Sequence, residues 1–191
     1  MAPNATLYRL EIELSDVDRS TYALLELRPA RHPSESMRYL VTRTLAYCLS
    51  YEEGIAFSKG GLSSADEPPV LVRDPLGSLV AWIDVGAPSP ERVHKASKAA
   101  RRVEIYGVSE LDELRAEALA GRIHRASDID VWTFAVSFLD ALEARFERNL
   151  TLALVRTEGQ LYVTVAGATL EGELQHSKLL DVSSTGRTRL S

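Results

Sequence analysis

The sequence predicts an α/β domain of the α+β kind: a mixed sheet flanked by helices, opened by an N-terminal β-ribbon and closed by a C-terminal β-hairpin. Three observations predict it. Period-two alternation at both ends of the chain encloses segments whose apolar residues recur at three- and four-residue steps. The middle of the chain runs helix, strand, hairpin, helix, strand, an order that needs a helical crossover between parallel strands. Finally, 191 residues, 45% hydrophobic and 26% charged, match one soluble domain in size and composition. That domain is read over residues 1–180, and residues 181–191, polar and almost without apolar side chains, as a loose tail.

Leu7 to Leu14 alternates apolar with Arg9, Glu11 and Glu13, and Thr21 to Arg28 does the same after the turn residues Ser15 to Arg19, which makes the opening ribbon. Pro33 ends the extended chain, with Ser34 available to cap a helix. Met37, Leu40, Val41, Thr44, Leu45, Cys48 and Leu49 form one stripe of that helix, which is expected to run to about Glu53 and stop at Gly54. Ile55 to Lys59 reads as a short strand. Val70 to Val72 and Leu79 to Val85 flank Arg73-Asp74-Pro75-Leu76-Gly77-Ser78 and so form an antiparallel hairpin. Pro88 and Pro90 introduce a helix over Glu91 to Arg102 with Ser89 near its cap, followed by a strand over Val103 to Tyr106 that runs parallel to Leu79–Val85. A helix over Leu111 to Ala120, a strand over Ile129 to Phe134 and a helix over Phe138 to Arg148 come next. Leu150–Val155 and Leu161–Val165, joined at Glu158-Gly159, make the closing hairpin, with a further strand near Leu170 to Leu174.

Composition narrows the function. Net charge is −5, from 22 Lys plus Arg against 27 Asp plus Glu, so the chain as a whole does not attract phosphates and any nucleic-acid site must be a local patch. That patch is Arg92 to Arg102, which carries Arg92, Lys95, Lys98, Arg101 and Arg102 and no acid. The single cysteine, Cys48, falls on the long helix's apolar stripe and suits a reducing compartment. No apolar run has the length of a signal peptide or membrane span, so the expectation is a soluble, cytoplasmic protein with no membrane partner. His32, His124 and Ser34 lack the spacing that would line up a nucleophile, base and orienting acid.

Asp84 is the residue that asks for an explanation. It interrupts the apolar run Trp82-Ile83-Asp84-Val85-Gly86, and a carboxylate buried there unpaired would cost several kcal/mol unless it binds a cation or is neutralised. Alternation offers another reading, with Ile83 and Val85 facing the core and Trp82 and Asp84 facing the other side of the strand, toward solvent. Lys95 is equally open, because Lys95, Lys98 and Arg102 lie on the helix face opposite Val93, Ala96 and Ala100.

His32-Pro33-Ser34-Glu35, Asp66-Glu67-Pro68, Asp74-Pro75-Leu76-Gly77, Trp82-Ile83-Asp84-Val85-Gly86-Ala87-Pro88 and Arg92 with Lys95-Ala96, in that order, resemble the motif series of the YaeQ family. That family in turn resembles the PD-(D/E)XK nuclease superfamily. The resemblance implies a restriction-endonuclease-like core and metal-dependent hydrolysis of phosphodiester bonds in DNA or RNA. It implies Mg²⁺ or Mn²⁺ as cofactor, held by Asp84, by Glu67 or Asp74, and by Glu35, with catalytic roles for Asp84, Glu35 and Lys95. Hard carboxylate oxygens suit such cations, which activate water and stabilise charge on the phosphate. The departure is Gly86, which stands where the superfamily's lysine belongs, so that Lys95 becomes the substitute. A scaffold that kept its fold without the chemistry is the alternative: a nucleic-acid-binding protein, or one acting with the transcription machinery through Arg92–Arg102.

Overall fold

The computed structural model describes residues 5–58, 67–108 and 111–181. Its centre is one ten-stranded mixed sheet in the order β3-β2-β10-β11-β12-β9-β8-β7-β6-β5. The strands are β2 (Arg9–Asp16), β3 (Thr21–Leu27), β5 (Ile55–Phe57), β6 (Val70–Arg73), β7 (Leu79–Val85), β8 (Arg102–Gly107), β9 (Asp130–Phe134), β10 (Asn149–Thr157), β11 (Gln160–Val165) and β12 (Ala168–Lys178). Two short strands, β1 (Thr6–Leu7) and β4 (Ala30–Arg31), pair separately. The helices are α1 (Met37–Leu49), α2 (Pro90–Ala99), α3 (Asp112–Leu119) and α4 (Val136–Glu143).

The expected β6–β7 hairpin is antiparallel, and β7 and β8 run parallel with Asp84 opposite Ile105, joined through α2. The two terminal hairpins are not appendages. β2 lies parallel to β10, with Leu10 beside Leu150 and Ile12 beside Leu152, so both hairpins join the sheet. A two-stranded ribbon is marginal alone, and this pairing buries Leu10, Ile12, Leu14, Leu152 and Leu154. α1 and α4 pack on one face of the sheet with these residues and Ile83; α2 and α3 pack on the other with Trp82, Val103 and Ile105.

Several boundaries differ from expectation for local reasons. Ser36, not Ser34, caps α1, its hydroxyl accepting the Tyr39 N–H at 3.0 Å, while Ser34 pairs with His32. α1 ends at Leu49, where the Ser50 N–H turns back to the Ala46 and Cys48 carbonyls. Gly54 instead makes a tight turn at φ +86°, with the Arg73 carbonyl 2.0 Å from where a Cβ would sit. α2 stops at Ala99 because Ala100 is extended, so Arg101 leaves the helix and Arg102 opens β8. α4 is Val136–Glu143 rather than Phe138–Arg148, and β12 is longer than the Leu170–Leu174 segment.

Candidate functional site

Asp84 sits near the end of β7 with a guanidinium against it; it is only 3% exposed and Trp82 2%, so the face that alternation turned toward solvent is covered instead by α2 and α3. Arg92 Nε donates to Oδ1 and Oδ2 at 2.9 Å each, and Trp82 Nε1 donates to Oδ2 at 2.8 Å. The Arg92 guanidinium lies 5.3 Å from the centre of the Trp82 ring, and its Nη2 donates to the Glu67 carbonyl at 2.8 Å. Chain order explains the pair. Ser89 accepts the Arg92 N–H and caps α2, so Arg92 sits in the first turn, where side chains lean back toward the end of β7. A cation there opposes the helix dipole, and Asp84 supplies the negative charge that offsets it.

A second ion pair lies at the start of α1. Glu35 is fully buried, with Oε1 3.0 Å from Arg43 Nη2 and Oε2 accepting the His32 N–H at 3.1 Å. Burial pushes the Glu35 carboxyl above its usual range against the pull of Arg43, and burial lowers the Arg43 guanidinium. Tyr39 lies within the field of both pairs. Its phenol is pushed up to about 12, first by burial and then by the charge of Asp84, with Glu35 adding and Arg43 and Arg92 opposing. The sequence reading missed Tyr39 and Arg43, which sit on a helix that looks like simple packing.

The other sequence-derived candidates are dispersed. Glu67 reaches the Asp84 end of the hairpin and meets Arg92 through its backbone. Asp66 lies outside the described residues. Asp74 is at the opposite end of β7, roughly 15 to 20 Å from Asp84 by strand rise, and its Oδ1 accepts the Leu76 and Ser78 N–H groups at 3.0 and 2.8 Å. Lys95, Lys98 and Arg101 are exposed, while Val93 and Ala96 face the sheet. Arg102 points away from Asp84 and pairs with Glu52 and, at 2.6 Å, with Glu104.

Gly86 ends β7 at φ +83°, its N–H donating to the Tyr106 carbonyl at 2.8 Å. A lysine there would be forced into the left-handed region, so its absence has a backbone cause.

The donor set does not fit a divalent cation. Asp84 is engaged by Arg92 and Trp82, Glu35 is balanced by Arg43, and Asp74 is spent on its own turn. Among the described residues no group of three or more His, Cys, Asp or Glu side chains is placed to hold a metal ion.

A second polar constellation went unpredicted. A cavity of about 360 Å³ lies at the end of α1, lined by Arg19, Ser50, Glu104, Asp130, Trp132 and His176 among others. The buried Ser50 hydroxyl bonds to Glu104 at 2.9 Å and Tyr106 at 3.0 Å, and His176 Nε2 lies 2.6 Å from Asp130. Glu104 within the apolar run Val103 to Tyr106 was the available signal.

These elements define a mixed α/β protein with one large sheet, helices on both faces and an arginine-paired carboxylate at the end of its crossover strand. The chain belongs to the YaeQ family, whose description is "YaeQ protein" and whose model matches residues 1–174. It is 28% identical to the Salmonella typhi protein YaeQ over 179 residues, 91% of this chain and 96% of that one. The Escherichia coli K12 YaeQ protein is 27% identical over 165 residues, 86% and 91% of the two chains. Crystal structures of YaeQ from Xanthomonas axonopodis pv. citri and from Pseudomonas syringae each superpose with a TM-score of 0.81 at 28% identity. They cover 91% and 90% of this chain, and 98% and 95% of their own chains. No helix among the described residues is long and apolar enough to cross a membrane.

Proposed function

We propose that this chain is a non-catalytic nucleic-acid-binding protein on a restriction-endonuclease-like scaffold. In this reading it holds the phosphate backbone through Lys95, Lys98 and Arg101. The β6–β7 hairpin, the α2 crossover and parallel β8 are the elements that support the scaffold reading. The observation that supports a loss of chemistry is the Arg92–Asp84 pair: a guanidinium neutralises the carboxylate that the resemblance assigns to a metal. The three proposed contacts lie on and just beyond the outer face of α2, where long stems can follow a phosphate strand without reading bases.

The test is fluorescence anisotropy of a labelled duplex and of an RNA of the same length, ~30 nucleotides, at rising salt. Three phosphate contacts give a log–log salt slope of about −3 on the duplex and about −2 on a single-stranded RNA, and the Lys95→Ala/Lys98→Ala/Arg101→Ala variant loses binding. Absence of binding at low salt overturns the proposal. A second reading, the metal-dependent nuclease, is favoured by one observation: Asp84 and the backbone of Glu67 on the preceding segment meet at the same Arg92 guanidinium. Cleavage in Mg²⁺ or Mn²⁺ that Asp84→Ala abolishes would establish it instead.

A further inference from the structure

We propose that the outer edge of β3 receives an extended, lysine- or arginine-bearing segment of another protein as an eleventh strand, its cations settling on Glu26 and Glu11. Two independent features of the sheet lead there.

The first is the edge itself. β3 is the terminal strand of the sheet, seven residues long and in unbroken register with β2 from Leu27 opposite Leu10 to Thr21 opposite Asp16. Among the described residues no backbone hydrogen bond reaches its outer side. Free edges are normally blunted by a bulge, a proline, a lysine or brevity. β5, at the other end, is three residues long, whereas β3 has no bulge, proline or lysine, and its one charge is Glu26. Instead it presents Leu24, 85% exposed, and Tyr22, 64% exposed, on its solvent face.

The second feature is the charge beside that edge. Glu11 on β2 stands directly opposite Glu26 on β3, and Glu13 stands opposite Leu24. Like charges directly across a pair of strands destabilise it, yet among the described ion pairs none reaches Glu11, Glu13 or Glu26. These glutamates line a depression of about 520 Å³ that continues over Thr151 and Ala153. A strand added at β3 would lie roughly 4.8 Å away, and a lysine or arginine stem spans the further strand spacing to Glu11.

Charge selects the occupant. Nucleic acid and anionic lipid surfaces carry the same sign as the depression and are repelled by it. A second copy would bring its own Glu26 and acidic face to the contact and leave the glutamates unneutralised. A cationic extended segment neutralises them, places an apolar residue beside Leu24 and satisfies the open backbone groups, which is recognition by strand addition.

The test uses the full chain and a synthetic ten-residue peptide that carries lysine and valine in turn on one strand face and threonine on the other, with a control that has serine for each valine, followed by anisotropy and by amide exchange. The lysine–valine peptide binds and slows exchange at the outward amides of Thr21–Leu27. Affinity falls about tenfold in Glu11→Gln/Glu26→Gln and in Leu24→Lys, and is unchanged in Glu113→Gln on α3. The glutamine double variant melts no lower than the parent, because removing a like-charge pair relieves repulsion, whereas glutamates kept for folding would leave it less stable. Equal affinity for both peptides, equal affinity across the variants, protection away from β3, or a dimer that Leu24→Lys dissociates would each overturn the proposal.

Discussion

Removing the Arg92 guanidinium should cost more than removing the Asp84 charge, and the two effects should not add. In Arg92→Met the carboxylate stays behind in a site 3% exposed, with Trp82 Nε1 as its remaining donor among the bonds described above. Stripping one partner from a buried pair costs roughly 3 to 5 kcal/mol. The Arg92 side chain is 21% exposed, so water recovers part of this and the expected loss is about 2 to 4 kcal/mol. Asp84→Asn keeps an acceptor for Trp82 and leaves a guanidinium that can turn toward solvent, for a loss of about 1 to 2 kcal/mol. The double variant should recover about 1 to 2 kcal/mol of the sum as coupling. Urea unfolding of the four proteins, followed by circular dichroism with a common slope, measures all of these. Coupling below about 0.5 kcal/mol, the scatter expected of independent sites, would refute the reasoning that Arg92 is the counter-ion of Asp84.

Three further outcomes follow from the same geometry. In a carbon-13 NMR titration Tyr39 should ionise only near pH 12, earlier in Asp84→Asn and later still in Arg92→Gln, since the first removes an opposing anion and the second a supporting cation. Glu35, whose folded carboxyl titrates above its unfolded value of 4.5, favours the folded state fully below that pH and loses this contribution as pH rises through the folded pKa. Glu35→Gln should therefore flatten the fall in melting temperature on the alkaline side of pH 4.5, with Asp16, also raised by burial, accounting for what remains. Gly86→Lys should lose about 1 to 2 kcal/mol of stability to its left-handed backbone, and an unchanged denaturation midpoint would show that the backbone does not exclude lysine there.

Much of the fold was legible because period and punctuation agree along this chain. The α1 stripe from Leu40 to Leu49, the Asp74–Gly77 turn and the proline-led start of α2 each depend on neighbours within a few residues, and local physics placed them. The joining of β2 to β10 was not legible, since it pairs Arg9–Asp16 with Asn149–Arg156 across most of the chain and no periodicity reports which strands meet. The site divides along the same line. Asp84 stood out as a charge in an apolar strand, and its need for a partner could be inferred. That the partner is Arg92 depends on the angle at which α2 leaves Ser89, and the basic run from Arg92 to Arg102 concealed it, because two of its five cations turn inward to Asp84 and Glu104. Tyr39 and Arg43 were invisible for the opposite reason: they lie in a helix whose pattern is explained by packing alone.

Whether Arg92 or a metal neutralises Asp84 is decided by calorimetric titration of Mg²⁺ and then Mn²⁺ into the intact chain and into Asp84→Ala. With Arg92 as the counter-ion, neither protein gives saturable heat at millimolar cation. A saturable isotherm in the parent that disappears in Asp84→Ala would show instead that Arg92 yields its place to the ion.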